Sequence, residues 1–267
     1  MGKRLLTAHA LIVYAFLYLP IGVVVLYSFN GGRQTLNWEG FSTRWFGAAL
    51  RDETIREALR NSLLIAVGNA ALACVLGTAL ALSLPRMWRF VRAPLEALVM
   101  MTLVTPEIVF GIAALVFFTE AGLTLGLRTI VIAHVVFNSS VVALIVRARF
   151  VGMGQDQEEA SFDLGAGPVS TFRQVTLPRL APAILAGGLL AFTFSFDDFY
   201  TSFFVSGAGT TTLPLYVFSS LRFGISPIVN ATATIMLALT LGAVVLAYVV
   251  LRRSASAERR GGVVPGI

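Results

Sequence analysis

Residues 155–182, QDQEEASFDLGAGPVSTFRQVTLPRLAP, form the longest polar interruption in the second half of a very apolar chain. Residues 158–164 favour a short helix, which Gly165 can end, and Pro168 suits the first position of a second helix. We expect this second helix to end at residues 176–178, where a proline occurs. Two short helices set between apolar segments predict a docking element for another protein.

The composition of the chain is typical of a protein that lies in a lipid bilayer. Apolar residues make up 57% of the 267 residues, charged residues make up 13%, and the mean hydropathy is +0.81, which is outside the usual range of soluble domains. The formal net charge is +6, but the arginines lie at the ends of apolar runs and form no stripe. This placement indicates membrane topology, and we expect no nucleic-acid partner.

Apolar stretches predict the number of membrane spans. A spanning helix needs roughly 20 apolar residues. Six stretches qualify, at about residues 11–29, 63–84, 95–119, 129–146, 183–205 and 229–251. The chain is therefore predicted to be an all-α integral membrane protein with six transmembrane helices, in one domain of residues 1–267, with membrane lipid around it.

The positions of lysine and arginine predict the orientation. An even number of spans puts both termini on one side of the membrane. Thirteen of the 20 lysines and arginines fall on that side and seven on the other. Because the cytosolic side carries the excess of positive charge, both termini and the loop of about residues 150–182 are predicted to be cytosolic.

Small residues recur at every fourth position in two of the spans. The second span has Ala73, Gly77 and Ala81, and the fifth has Ala183, Gly187 and Ala191. Such rows let helix backbones approach closely, which predicts a packed bundle.

The sequence lacks the residues that common catalytic sites need. Lys3 is the only lysine, so the chain contains no phosphate-binding loop that ends in Gly-Lys-Ser/Thr. His9 and His134 lie in different spans, and Cys74 is the single cysteine, which predicts no metal site. Each histidine is expected to be a hydrogen-bonded helix residue. We therefore expect no catalytic residue, no cofactor in this chain, and no enzyme activity.

The polar stretch carries a spaced motif. Glu159-Ala160-Ser161 is followed by Gly165 and then by Val175-Thr176-Leu177-Pro178. This pattern resembles the EAA motif of the membrane subunits of ATP-binding-cassette (ABC) importers, with Ser in place of the second Ala and Val in place of Ile. The resemblance implies a type I ABC importer permease, whose cytosolic coupling helix inserts into a groove of a separate ATPase subunit.

The same resemblance implies which residues couple the two subunits. Glu159, an acid at the start of a helix, would contact a basic residue of the ATPase subunit. Gly165 would allow a sharp turn between the two short helices, and a larger side chain there would misalign them. ATP and Mg would be bound by that partner. The implied coupling residues are Glu158, Glu159, Ala160, Leu164, Gly165, Leu177 and Pro178.

Further segments are similar to the second permease subunit of spermidine/putrescine importers. They are residues 195–199, 210–215, 223–227 and 230–231. The resemblance implies a bacterial inner-membrane location and three kinds of partner. These are a second, homologous permease that forms a heterodimer with this chain, two ATP-binding subunits, and a periplasmic or lipid-anchored solute-binding protein.

Acidic residues inside spans are rare and indicate function. Glu107 follows Pro106, which should kink the third span, and Asp197 and Asp198 lie in the fifth. Counted from the cytosolic ends near Pro94 and Pro182, Glu107 and Asp197 are 13 and 15 residues in, or roughly 20 Å deep at about 1.5 Å per residue. Adjacent positions of an unbroken helix point about 100 degrees apart, so only one aspartate would face the pathway.

Acids and aromatic side chains together favour a cationic solute such as a polyamine. The candidate pathway residues are Glu107, Asp197, Asp198, Tyr200, Phe199 and Asn138. Glu107 and Asp197 have an alternative role as partners of an arginine in the second permease or as caps of a helix break.

The sequence thus predicts a permease subunit that translocates spermidine or putrescine with energy from a separate ATPase. Two alternatives stay open. The same machinery would import an opine or an amino-acid-derived solute, or the chain would be a stand-alone secondary transporter or membrane scaffold. The EAA-like motif and the lack of an evident inverted repeat argue against the second alternative.

Overall fold

The computed structural model describes residues 2–33, 37–154, 156–222, 224 and 226–261. Gln155 of the polar stretch and Phe223 and Ile225 of the polyamine-permease resemblance lie outside these residues. Across the described ranges the secondary structure is helical, apart from one isolated β-bridge between Asn30 and Phe41.

The helices are labelled α1 to α12 in chain order. Their bounds are α1 Gly2–Ser28, α2 Arg44–Arg51, α3 Glu53–Ser83, α4 Arg89–Val104, α5 Glu107–Glu120, α6 Leu127–Val151, α7 Asp156–Asp163, α8 Pro168–Thr171, α9 Leu177–Asp197, α10 Tyr200–Val205, α11 Leu213–Leu221 and α12 Pro227–Gly261. A short 3-10 turn, Leu84–Arg86, follows α3, and a π-helical turn, Phe172–Thr176, joins α8 to α9.

Five helices in the described residues are long and apolar enough to cross a membrane. They are α1, α3, α6, the continuous helical segment that contains α9, and α12. The pair α4 and α5 passes the same test together and is bent by 115°. The prediction of six spans agrees with the structure when this bent pair is counted as one.

The third span is broken rather than kinked. Thr105 is extended, with φ −62° and ψ 129°, and α5 begins directly after Pro106. The proline ring disfavours the helical conformation at the residue before it, and the proline has no N–H for the helix ladder. The sequence predicted a kink near Glu107, whereas the structure has a complete break with a 115° bend, so the depth counted at about 1.5 Å per residue does not apply across it.

The fifth span was predicted as one helix over about residues 183–205. This prediction is wrong, because α9 ends at Asp197 and a separate helix, α10, follows. Asp198 is extended, with φ −65° and ψ 121°, and α10 begins two residues later. The Asp198 carboxylate accepts the backbone N–H groups of Thr201 and Ser202 at the start of α10. An aspartate that offers this alternative to the helix ladder favours a new helix start.

The prediction that the second loop helix ends at residues 176–178 was wrong. Helix α8 continues through the π-helical turn into α9, and the N–H of Leu177 donates to the carbonyl of Phe172. The wider turn lies directly before Pro178, the residue whose ring would clash with the carbonyl four positions back in a regular helix. Pro178 therefore lies within a continuous helical segment.

Residues Met1–Arg60 and Thr211–Leu239 form one compact unit. Helix α1 exposes its apolar side chains along nearly its whole length, as a lipid-facing helix would. After α1, the buried side chain of Asn30 accepts the N–H groups of Gly32 and Glu39 and donates to the carbonyl of Asn37. These bonds fold the chain that follows α1 back onto Asn30.

Residues Asn61–Thr210 and Thr240–Ile267 form the second compact unit. The backbone of α6 packs against α9, and its buried face contacts the small residues of α3. The buried cluster at this contact consists of Ala73, Ala81, Val142, Ala143, Val146, Leu180 and Ala191. Both rows of small residues predicted from the sequence lie in this packing, since Gly77 and Gly187 each contact Val142.

Replacing Gly77 with valine is expected to destabilise the second unit. A Cβ atom at this position would lie 2.7 Å from the Val142 Cβ and 2.8 Å from the Ser139 carbonyl oxygen. Overpacking of this kind costs typically 1–3 kcal/mol. The thermal unfolding midpoint of the detergent-solubilised protein measures the effect.

Gly68 provides the matched control in the same helix, because a Cβ atom there meets nothing within 4 Å. Gly68→Val is expected to leave the midpoint nearly unchanged. Equal losses in both variants would contradict the close approach of α3 and α6.

Candidate functional site

A small open cavity lies in the second unit beside both helix breaks. Its lining comes from the start of α5, the middle of α6, the end of α9 and the start of α10. The lining residues are Glu107, Phe110, Ala133, His134, Phe137, Asn138, Phe194, Asp198 and Thr201. Its volume of about 30 Å³ is room for roughly two water molecules.

Asp198 and His134 form a buried pair in the wall of this cavity. The Nε2 atom of His134 lies 3.1 Å from Oδ2 of Asp198, and its Nδ1 lies 2.7 Å from Oγ of Ser195. The side chains of His134 and Asp198 are 3% and 11% exposed. The expectation that His134 is a hydrogen-bonded helix residue is confirmed.

Besides its contact with His134, the Asp198 side chain accepts two hydrogen bonds from the backbone at the start of α10. Its Oδ2 accepts the N–H of Ser202 at 2.7 Å, and its Oδ1 accepts the N–H of Thr201 at 3.3 Å. These bonds hold the carboxylate at the break between α9 and α10. The break itself therefore directs an acidic group into the cavity.

Asn138 lies one turn along α6 from His134. Its Nδ2 donates to the His134 carbonyl at 3.0 Å and to Asn69 Oδ1 at 3.3 Å, and Asn69 Nδ2 donates to the Ala191 carbonyl at 2.9 Å. This chain of bonds connects α3, α6 and α9 and fixes the orientation of both amides. Asn138, predicted as a pathway residue, is thus held in the lining.

The remaining predicted pathway residues divide into two groups. Glu107, the first residue of α5, lines the cavity and is exposed, so it lies at the mouth. Asp197, Phe199 and Tyr200 are absent from the lining. The Asp197 carboxylate instead accepts the hydroxyl of Thr240 at 3.0 Å, and the rings of Phe199 and Tyr200 contact each other. A pathway role for these three residues stays a prediction.

Several lining residues were not identified from the sequence. His134 was assigned to ordinary helix packing, and Phe110, Phe137 and Thr201 were not considered. One usable signal existed, because His134 and Asn138 are four positions apart and share one face of a helix. The partner of His134, Asp198, is 64 positions away in the sequence, and no local pattern predicts that contact.

The loop between α6 and α9 contains the turn expected at Gly165. The residue has φ +84°, and the N–H of Ala166 donates to the Ser161 carbonyl at the end of α7. A Cβ atom at Gly165 would meet nothing within 4 Å. The requirement for glycine is therefore one of backbone conformation, and not one of space within this chain.

The predicted coupling residues are mostly at the surface of this loop. Glu159, Ala160 and Pro178 are exposed, and Leu164 is 89% exposed. Leu177 is 37% exposed, at the start of α9. Leu164 directly follows α7, in the turn before Gly165, and the contact of this surface with another subunit stays a prediction.

Hydrogen bonds attach the loop to the membrane helices at both ends. Glu158 accepts the hydroxyl of Thr176 across the loop, at 2.5 Å. Arg179 donates through Nη2 to the Met153 carbonyl at 2.9 Å, and Arg149 donates to the Arg179 carbonyl at 3.5 Å. These bonds connect α7 to the turn that continues into α9, and connect α9 to the end of α6.

The chain is similar to membrane subunits of binding-protein-dependent transport systems. The family model described as binding-protein-dependent transport system inner membrane component matches residues 73–256. The chain is 42% identical over 235 residues to the putrescine transport system permease protein PotI of Escherichia coli (strain K12), covering 85% of this chain and 83% of the relative. It is 38% identical over 248 residues to the spermidine/putrescine transport system permease protein PotC of Haemophilus influenzae, covering 92% and 96%.

A solved structure resembles the fold. The crystal structure of a bacterial ABC transporter involved in the import of the acidic polysaccharide alginate aligns with a TM-score of 0.71 at 15% identity, covering 94% of this chain and 96% of that chain. The expected fold, a helical type I ABC importer permease, is confirmed.

Proposed function

The chain belongs to the family of binding-protein-dependent transport system inner membrane components, and we propose that it is one permease subunit of an ATP-driven polyamine importer. The observation that carries the choice of solute is the cavity, whose lining includes Glu107, Asn138 and Asp198. Both curated relatives carry putrescine in their names, and one also carries spermidine. Putrescine and spermidine are cationic near pH 7, because alkylamines are protonated there.

The cavity chemistry supports a cation as the solute. Carboxylates at the breaks of apolar helices attract positive charge, and the rings of Phe110, Phe137 and Phe194 add cation–π attraction. The volume of about 30 Å³ is too small to hold a whole polyamine. This size supports a pathway that is completed by a second permease or opened during transport.

The importer contains further subunits in this proposal. A second, homologous permease pairs with this chain, two ATPase subunits bind ATP and Mg, and a periplasmic or lipid-anchored protein delivers the solute. This chain holds no cofactor and catalyses no reaction. Both termini and the loop with α7 face the cytosol, where Glu159 and Leu164 contact an ATPase subunit.

Affinity purification tests the subunit composition. We expect the tagged chain, co-expressed with the genes that neighbour its own, to bring down one second permease and two ATPase subunits for each copy of the chain. Purification of the chain without an ATPase subunit, under conditions that keep it folded, would favour a stand-alone transporter or a scaffold.

ATP hydrolysis by the purified assembly with its binding protein tests the solute class. Putrescine or spermidine is expected to stimulate hydrolysis at concentrations at which amino acids and opines do not. If only an amino acid or an opine stimulated hydrolysis, the chain would still belong to an ATP-driven importer, but its solute would not be a polyamine.

A further inference from the structure

His134 connects the two sides of the break between α9 and α10. Its Nδ1 lies 2.7 Å from Oγ of Ser195, in the last turn of α9. Its Nε2 lies 3.1 Å from Oδ2 of Asp198, at the break itself, and 3.4 Å from Oγ of Ser202, in the first turn of α10. The imidazole on α6 therefore contacts the end of one helix, the break, and the start of the next helix.

The partners of the two ring nitrogens assign a proton to Nε2. Oδ2 of Asp198 accepts the N–H of Ser202 at 2.7 Å, as an ionised carboxylate does. An ionised carboxylate only accepts hydrogen bonds, so its contact with His134 requires an N–H at Nε2. The hydroxyl of Ser195 can donate or accept, so it suits Nδ1 with or without a proton. His134 is thus a donor to Asp198 in either of its charge states.

The two oxygens of Asp198 receive unequal numbers of donors. Oδ2 accepts both His134 and the N–H of Ser202, whereas Oδ1 accepts, among the described residues, only the N–H of Thr201, at 3.3 Å. The terminal torsion of an aspartate is broad unless donors fix it. His134 and the start of α10 therefore fix Oδ2 and leave Oδ1 with the greater unused capacity to accept a hydrogen bond.

We infer that His134 is a positioning residue for transport, whose Nε2 holds the Asp198 carboxylate in the orientation in which it pairs with the cationic solute. The inference rests on the proposed function and gives His134 a role beyond the packing of α6 against α9. The side chain is 3% exposed, and its Nε2 is engaged by Asp198. His134 therefore acts through that carboxylate, and not as a ligand of the solute.

Two amide substitutions separate the roles of the two ring nitrogens. The side-chain nitrogen of glutamine is as many bonds from Cα as Nε2, so His134→Gln keeps a donor for Asp198 and loses the contact with Ser195. The nitrogen of asparagine corresponds in the same way to Nδ1, so His134→Asn keeps the contact with Ser195 and loses the one with Asp198. Each variant removes one buried hydrogen bond, so similar losses of thermal stability are expected.

Uptake of labelled putrescine by the complete assembly in proteoliposomes, at saturating loaded binding protein, compares the two variants. His134→Asn is expected to lower the initial rate about tenfold or more, because a hydrogen bond to a charged group is lost. His134→Gln, which keeps that bond, should retain most of the rate. If His134 only packed α6 against α9, the shorter contact, with Ser195, would matter more, and asparagine would be the better replacement. Equal rates, or a faster His134→Asn, would overturn the inference.

Nitrogen NMR tests the same contact without a substitution at the site. The chain has two histidines, and His9, exposed on α1, is assigned by the loss of its signal in His9→Gln. In an assembly in which only this chain carries isotope-labelled histidine, Nε2 of His134 is expected to carry a proton that exchanges slowly with solvent. An Nε2 without a proton would overturn the inference even if neither His134 variant folded.

The proposed function and this inference fail in different ways. Putrescine uptake by the unmodified assembly, together with a His134→Asn variant as active as His134→Gln, would keep the polyamine importer and remove the positioning role. An unmodified assembly that takes up no putrescine would remove the proposed solute and, with it, this inference.

Discussion

Replacing Asp198 with asparagine is expected to lower polyamine uptake roughly 100-fold or more. The carboxylate lies in the cavity wall, is 11% exposed, and is paired with His134. In the proposed pathway this carboxylate pairs with the cationic solute, and removing one partner of a buried, hydrogen-bonded charge pair costs about 2–5 kcal/mol, where each 1.4 kcal/mol is a factor of ten. Asparagine has the same size and keeps an oxygen that can accept the N–H groups at the start of α10. Initial rates of labelled putrescine uptake measure the effect.

The adjacent residue supplies the control. Asp197 is exposed, accepts a hydroxyl from Thr240 and does not line the cavity, so Asp197→Asn is expected to lower uptake less than Asp198→Asn does. Both variants should still purify with the ATPase subunit. Normal uptake by Asp198→Asn, or equal losses in the two variants, would remove Asp198 from the pathway.

Replacing Leu164 with aspartate is expected to weaken binding of the ATPase subunit by roughly 100-fold. The side chain is 89% exposed in the turn that directly follows α7. Burying a leucine against a partner contributes about 1.5–3 kcal/mol, and an unpaired charge in the same place adds a desolvation cost. The amount of ATPase subunit retained during affinity purification of the membrane subunits measures the loss.

Leu123 offers the same substitution at a different exposed loop. It is 46% exposed between α5 and α6, on the opposite side of the membrane in the proposed orientation. Leu123→Asp is expected to retain the ATPase subunit. If both variants lost it, general instability would be the cause. If neither did, α7 would not be the docking element.

The sequence predicted the features that depend on local pattern. The apolar runs gave the spans, the spacing from Glu159 to Pro178 gave the polar loop with its turn at Gly165, and the acids marked the region of the cavity. Each of these signals lies within one continuous segment, where helix periodicity and turn chemistry are directly readable.

The sequence did not predict the helix breaks or the contacts between distant segments. Pro106 indicated a kink, but the size of the bend depends on how Thr105 and Glu107 pack in three dimensions. At Asp198 the chain could either continue α9 or break so that the side chain caps α10. Helix propensity alone does not predict which of the two occurs. The contact between His134 and Asp198 joins two segments that only the folded bundle brings together.

Transport by the reconstituted assembly is the most direct test that this chain belongs to an ATP-driven polyamine importer. Proteoliposomes would contain this chain, its permease partner and the ATPase subunits, with the binding protein on the side that takes up solute. Labelled putrescine is expected to accumulate above its external concentration only when ATP is present on the ATPase side, and unlabelled spermidine should compete. Accumulation that is independent of ATP, or uptake of an amino acid with none of putrescine, would contradict the account.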